Sequence, residues 1–116
     1  MVKDFKIGEQ TITCRCDGAT DIEYYEFFKE DMLPVIMKET IDPDVVLDLS
    51  RKVVFIMSKQ ADGTDFSQLS FKDFKEWLKQ FTLLDFVDGA ADIISFIVER
   101  HQPHAEKVSK KRQSNS

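Results

Sequence analysis

Glycine and proline are scarce in this sequence of 116 residues, which has four glycines and three prolines. The glycines all stand apart, so no glycine-rich segment can surround a phosphate group, as nucleotide-binding loops do. No apolar run approaches the roughly 20 residues of a membrane span. The first residues, MVKDFKIGEQ, lack the long apolar segment of a secretory signal. We therefore expect a cytoplasmic protein with no membrane association.

Cysteine and histidine are also rare, with two copies of each. Cys14 and Cys16 have the spacing of neighbours on one face of a strand, which does not naturally close a disulfide. No other side chains have suitable spacing to complete a metal site with them. His101 and His104 are separated by Pro103, which breaks a helix that would align them. The sequence predicts two reduced, half-buried cysteines, no metal site and no cofactor.

Charge is unevenly distributed along the chain, whose formal net charge is −5. Residues 1–101 carry a net charge of −8 and residues 102–116 carry +3. An acidic body is a poor default for binding nucleic acid, because affinity for phosphate is mostly electrostatic. The tail has no apolar periodicity. We expect one folded domain over 1–101, followed by a flexible basic tail over 102–116.

The segment FKIGEQTITCRC predicts a β-hairpin, because apolar and polar residues alternate on both sides of a glycine-containing turn at 8–10. A lone hairpin is marginal in water, so its apolar face must pack on helices. That face holds Phe5, Ile7, Ile12, Cys14 and Cys16.

Four amphipathic segments after the hairpin predict helices at about 21–39, 43–61, 71–80 and 83–101. Each has a start signal of N-cap or capping-box type. The start signals are Thr20 with Glu23, Asp42 with Pro43, Ser70 with Asp73, and Thr82 with Asp85. Pro34 should kink or divide the first helix, and Gly63 suits the end of the second. The predicted fold class is α+β, mainly α, with the hairpin packed on a bundle of about four helices.

The apolar faces of these helices follow from the helical spacing. Ile22, Tyr25 and Met32 lie on the first, and Val46, Leu49, Val53, Ile56 and Met57 on the second, whose apolar stripe is wide enough for a central helix. Leu83, Phe86, Val87, Ile93, Ile94 and Ile97 form the stripe of the last helix.

Clusters of acidic residues offer the main candidates for chemistry, and each is better explained as solvated surface. Asp85, Asp88 and Asp92 share one helix face near its start, where the helix dipole favours acids. Glu23, Glu26 and Glu30 receive the same interpretation. The segment DGTD at 62–65 begins like a calcium loop, but the later ligand positions fail. No Ser, His and Asp are positioned as a triad. We expect no catalytic residues and no enzyme activity.

Lys72, Lys75 and Lys79 line the side of the third helix opposite its aromatic residues. They could form the basic face of a recognition helix in a helix-turn-helix. However, Asp73 and Glu76 share the helix, and the body is acidic, which disfavours DNA reading. We expect no nucleic-acid partner. The alternative function is a small regulatory or adaptor protein of a mobile element, with or without nucleic-acid binding.

The third helix is unusually aromatic. Phe71, Phe74, Leu78 and Phe81 share one face, with Trp77 at its shoulder. Most of these side chains must serve an intramolecular core. We expect one or two to be available to a partner, Trp77 first. The candidate partner-binding residues are Trp77, Phe74, Phe81, Lys75 and Lys79.

The order of these parts resembles the tail assembly chaperones of long-tailed, siphovirus-type phages and prophages of Gram-positive bacteria. The resemblance covers roughly 5–100 and rests on FKIGEQTITCRC, IEYYEFFKEDML, VVFIMSKQAD, FKEWLKQF and IISFIVER. Its most specific part is FIMSKQAD followed by WLKQF, and none of these segments is a catalytic signature.

The resemblance implies a non-enzymatic protein that acts in the host cytoplasm during phage assembly and is absent from the finished virion. Such proteins bind the tape-measure protein, keep it soluble and help recruit tail-tube subunits. Recruitment would use a longer product made by a programmed ribosomal slip near the end of the gene, and Lys110-Lys111 are consistent with an A-rich slip site. Weak self-association is also expected, because neighbouring copies on a long rod gain avidity.

Overall fold

The computed structural model describes residues 1–32, 34 and 43–101. Two strands lead the chain, β1 over Val2–Ile7 and β2 over Gln10–Arg15. Helices α1 over Thr20–Phe28, α2 over Pro43–Asp62, α3 over Phe71–Leu78 and α4 over Leu83–His101 follow, with a 3-10 turn at Phe66–Gln68 before α3. The predicted class, α+β and mainly α with an N-terminal hairpin on helices, is confirmed. The prediction for 102–116 lies outside the described residues.

The hairpin has the predicted face and register. Antiparallel pairing places Phe5 opposite Ile12 and Ile7 opposite Gln10, leaving a two-residue turn in which Gly8 has a positive φ of 63°. On the other face the Thr13 hydroxyl donates to Asp4 at 2.7 Å. The apolar face packs on α2 through β2 and on α4 through β1. Both cysteines are reduced thiols outside any disulfide, as predicted, and are fully buried rather than half-buried.

Helix α1 is shorter than predicted, because it ends at Phe28 rather than near residue 39. Lys29 adopts a left-handed conformation with φ 59°, while its N–H still donates to the Tyr25 carbonyl at 2.7 Å. Glu30 then accepts hydrogen bonds from the Tyr24 hydroxyl of α1 and from Lys52 of α2. Met32 is buried two residues further on, whereas Ile22 and Tyr25 of the predicted apolar face are exposed and Tyr24 is buried instead. The chain is helical again at Pro34, so the predicted helix is divided and the break precedes the proline. Residues 33 and 35–42 lie outside the described residues.

The start of α1 also differs from the prediction. Thr20 does not act as an N-cap with Glu23, because Ala19 occupies that position. Thr20 is instead buried, and its hydroxyl accepts from the Asp17 backbone N–H and donates to Gln60. Asp17 accepts the Ala19 N–H at 2.8 Å. These bonds join the end of the hairpin, the start of α1 and the end of α2 at one point.

Helix α2 is the centre of the fold. It begins at Pro43 as predicted, and all six residues from 53 to 58 are buried. A helix buried around its circumference must be contacted from several sides, and α2 packs against β2, α1, α3 and α4. Gly63 follows its end with φ 74°, which confirms the predicted glycine cap. The Asp42 N-cap prediction lies outside the described residues.

The two last helices begin as predicted. Ser70 donates its backbone N–H to Asp73, and Thr82 does the same to Asp85, each at 2.8 Å. The buried face of α4 consists of Phe86, Ile93, Phe96 and Ile97. The predictions that Leu83 and Val87 face the core are wrong, since both are exposed, and Phe96 takes their place by packing edge-on against Phe5. Within the described residues, no helix has the length and apolar character to cross a membrane.

Candidate partner-binding surface

The aromatic residues of α3 form a ring cluster that joins the helices. Phe74 is only 4% exposed, and its ring lies 5.1 Å from Phe55 of α2 and 5.0 Å from Phe28 of α1. Trp77 is half-buried, and its ring centroid lies 5.3 Å from Phe55 and 4.9 Å from Phe81. Phe81 continues the cluster to Phe86 of α4 at 5.2 Å. Edge-on pairs of this kind stabilise a core beyond the area they bury.

Three of the predicted partner-binding residues therefore belong wholly or partly to the core. Phe74 has no free surface to offer, and Trp77 and Phe81 present only the part of each ring that the cluster leaves uncovered. The exposed aromatic residue of α3 is Phe71, which is 53% exposed at the first position of the helix. Sequence periodicity assigned Phe71 to the core face, because it shares that face with Phe74.

Lys75 and Lys79 are exposed and already engaged within the helix. The ammonium of Lys75 lies 5.3 Å from the centre of the Phe71 ring, and Lys79 pairs with Glu76 at 2.8 Å. Exposed contacts of this type contribute little stability, so both lysines can exchange these neighbours for others at low cost. With Asp73 and Glu76 on the same helix, the face is of mixed charge.

A groove lies between α1 and the segment that leads into α3. Its volume is about 400 Å³. Phe27, Phe66, Leu69 and Phe71 supply its apolar surface, and Glu23, Glu26 and Lys29 supply its charges. The segment that forms its far wall is held in place locally, because Asp65 accepts the Ser67 N–H at 3.0 Å and the Ser70–Asp73 pair starts α3.

The carboxylates at one end of the groove repel one another. The pKa of Glu23 is raised by burial first, and then by the negative charges of Glu26, Asp17 and Asp65. The ionised carboxylate is thus less stable here than in water. A cation placed among these groups would relieve the repulsion, so the groove combines an apolar wall with a site of negative potential.

A second exposed apolar area lies at the start of α4. Leu83, Leu84 and Val87 are exposed, and Leu84 is 70% so. Beside them a small cavity of about 90 Å³ is lined by Arg51, Leu78 and Phe81, among others. Among the described residues, Arg51 Nε is a buried side-chain nitrogen without an acceptor.

The acidic residues considered for chemistry are not assembled into a site within the described part of the chain. Asp88 and Asp92 are exposed on α4, and Asp85 accepts the N–H of Thr82. Glu30 binds Lys52, whose pKa is raised by its bonds to Asp48 and Glu30 although burial acts in the other direction. In residues 1–32, 34 and 43–101, no group of three or more His, Cys, Asp or Glu could hold a metal ion. The candidate pair of His101 and His104 lies outside what the structure describes of side chains.

Comparisons of the chain with family models, curated proteins and solved structures gave no match.

Proposed function

We propose that this chain is a tail assembly chaperone of a long-tailed phage or prophage of Gram-positive bacteria. It binds the tape-measure protein, keeps it soluble and helps to recruit tail-tube subunits, without catalysis. The order of hairpin, aromatic helix, central helix, short aromatic helix and apolar last helix supports the resemblance stated above.

One observation carries this proposal beyond the resemblance. Large apolar side chains remain exposed on α1, α2, α3 and α4. They include Ile22 and Tyr25 of α1, Phe71 of α3, and Leu84 and Val87 of α4. An acidic protein that keeps such surface open can cover the apolar stripe of another helix and stay soluble. The exposed lysines of α3 share their helix with Asp73 and Glu76, so they do not support the nucleic-acid-binding alternative in the same way.

Co-expression tests this proposal directly. Segments of the tape-measure protein from the same phage are produced with and without this chain, and the soluble fraction of each segment is measured. We expect the chain to raise that fraction and to copurify with at least one segment. An unrelated coiled-coil protein of similar length serves as the control for non-specific rescue. Unchanged solubility of every segment would rule the proposal out.

The proposal extends to the way the gene is translated. If Lys110-Lys111 mark a slip site, synonymous changes of their codons abolish a minor longer product and leave this chain intact. Replacing both lysines in the protein then leaves tape-measure binding nearly unchanged. A product pattern that is insensitive to the synonymous changes contradicts this part alone.

A further inference from the structure

The groove between α1 and the segment that leads into α3 has an apolar wall that remains partly exposed. Phe71 is 53% exposed, and its ring centre lies 5.6 Å from that of the buried Phe74. Phe27, Phe66 and Leu69 are partly buried and pack against the core from the other sides of the groove. An occupant could therefore bury apolar surface here while the fold stays unchanged.

The charges of the groove restrict the chemistry of its occupant. Glu23 and Glu26 line it, and the carboxylates of Asp17 and Asp65 are near enough to Glu23 to act on it. Among the described residues that line it, Lys29 alone carries a positive charge. An acidic partner would add to the repulsion among four carboxylates, whereas a basic one would remove it.

We propose that this groove binds an amphipathic helix that carries lysine or arginine beside its apolar stripe. The apolar stripe contacts Phe71, Phe66 and Leu69, and the basic side chains pair with Glu23 and Glu26. This inference rests on the proposed function, since it assigns the tape-measure segment a basic amphipathic character and gives it a place on the chaperone.

The raised pKa of Glu23 helps to distinguish a binding role for this residue from a structural one. A carboxylate whose pKa is raised costs the folded state stability while it is ionised, and this cost disappears as the pH falls through the folded pKa. Replacing Glu23 with glutamine at neutral pH should therefore leave the fold as stable or make it more stable. A residue that weakens the fold but strengthens binding is typical of a functional site.

Designed peptides provide a probe that does not depend on any phage partner. Two helical peptides of about 18 residues, long enough to be partly helical alone, share one leucine stripe. Lysines flank the stripe in the first peptide and glutamates in the second. A third peptide keeps the lysines and has serine in place of every leucine. We expect the full chain to bind the first peptide at least about tenfold more tightly than either of the others.

Matched variants locate the binding site. Glu23→Gln with Glu26→Gln should weaken binding of the lysine peptide about tenfold, whereas Asp88→Asn with Asp92→Asn makes the same change in net charge on α4 and should leave binding within about twofold. Phe71→Ser should weaken binding about tenfold, and Leu84→Ser, at an even more exposed apolar residue, should not. Equal effects of the groove and control variants would overturn the proposal.

Two other occupants are distinguished in the same experiment. If the basic tail of the chain fills the groove, neutralising Lys107, Lys110, Lys111 and Arg112 in the full chain should tighten peptide binding several-fold, and that result would overturn a separate partner. If a second copy fills it, sedimentation should show a dimer that the lysine peptide dissociates, with the same consequence. Amide hydrogen exchange provides a direct location of the bound peptide. Adding the lysine peptide should slow the exchange of backbone amides of the chain within Phe66–Phe71.

Failure of this inference can be told from failure of the proposed function. A tape-measure segment that is held equally well by wild type and by the groove variants leaves the chaperone function standing and removes the groove from it. Tight, groove-dependent peptide binding without capture of any tape-measure segment does the reverse.

Discussion

The carboxylate of Asp85 at the start of α4 lies directly against the α-carbon of Gly8 in the hairpin turn. A β-carbon added at Gly8 would come within 2.6 Å of Asp85 Oδ2, and Gly8 also has a positive φ of 63°. The same Asp85 oxygen accepts the N–H of Thr82 at 2.8 Å. The Asp85 carboxylate thus lies against the hairpin turn and also caps α4, so a side chain at residue 8 would disturb both.

Alanine substitutions at three glycines separate the left-handed backbone strain at Gly8 from its collision with Asp85. We expect Gly8→Ala to lower the free energy of unfolding by about 3 kcal/mol, because it combines left-handed strain with the collision. Gly63→Ala, with φ 74° and open space, should cost only about 1 kcal/mol. Gly18→Ala, which meets nothing within 4 Å, should be nearly neutral. Denaturant unfolding measures all three, and equal losses at Gly8 and Gly63 would show that Asp85 moves aside freely.

Truncation of Trp77 should mainly lower stability, whereas truncation of Phe71 should mainly weaken capture of the tape-measure protein. Trp77→Ala removes a ring packed on Phe55 and Phe81, and we expect a loss of about 3 kcal/mol in unfolding free energy. Phe71→Ala should change stability by no more than about 0.5 kcal/mol, because the side chain is largely exposed. When equal amounts of folded protein are compared, Phe71→Ala should weaken capture of a tape-measure segment more than Trp77→Ala does. A stable Trp77→Ala variant with weak capture would restore Trp77 as the main contact.

Cys14 should be inert in the folded protein. Burial, with smaller contributions from the charges of Asp4 and Cys16, raises the pKa of its thiol to about 12. Since the thiolate is the reactive form, alkylation by iodoacetamide at pH 8 should be slow in the native state and rapid in concentrated guanidinium chloride. Mass spectrometry follows both cysteines at once. Rapid native labelling would mean that the hairpin face opens often.

Asp17 should make stability depend on acid pH. Its pKa is lowered, first by the backbone N–H of Ala19 and then by Gln60 and Arg15. Stability from such a carboxylate is present above the unfolded pKa of about 4 and is lost as the pH falls through the folded value. Asp17→Asn should therefore cost about 1 kcal/mol at pH 7 and progressively less as the pH falls below about 4. The exposed Asp88→Asn is the control, and a pH-independent difference would contradict the assignment.

The elements of this fold were predictable where signals were local. Alternation defined the hairpin, and the Ser70–Asp73 pair marked the start of α3. The end of α1 was not predictable, because Lys29 takes a left-handed conformation without the glycine or asparagine that usually signals one. Lys52 of α2 binds Glu30 just beyond this end, and helical spacing in the sequence does not reveal that contact.

The candidate surface was harder to predict than the fold. Helical spacing puts Phe71 and Phe74 on one face and cannot show where the neighbouring helix stops. Phe71 lines the groove and is exposed, whereas Phe74 is buried against Phe28 and Phe55. Glu23 and Glu26 were interpreted as solvated, and only the structure shows that they share that groove with Phe71.

The pairing of the first strand with the last helix has a consequence for synthesis on the ribosome. Phe5 meets its aromatic partner Phe96 only after some ninety further residues have been added. At about 5–20 residues per second, the apolar face of the hairpin waits roughly 5–20 s for that partner. During this interval the apolar side of β1 is exposed on the nascent chain. The proposed chaperone thus itself needs protection from aggregation while it is being synthesised. Slowing translation should make its yield depend on host chaperones.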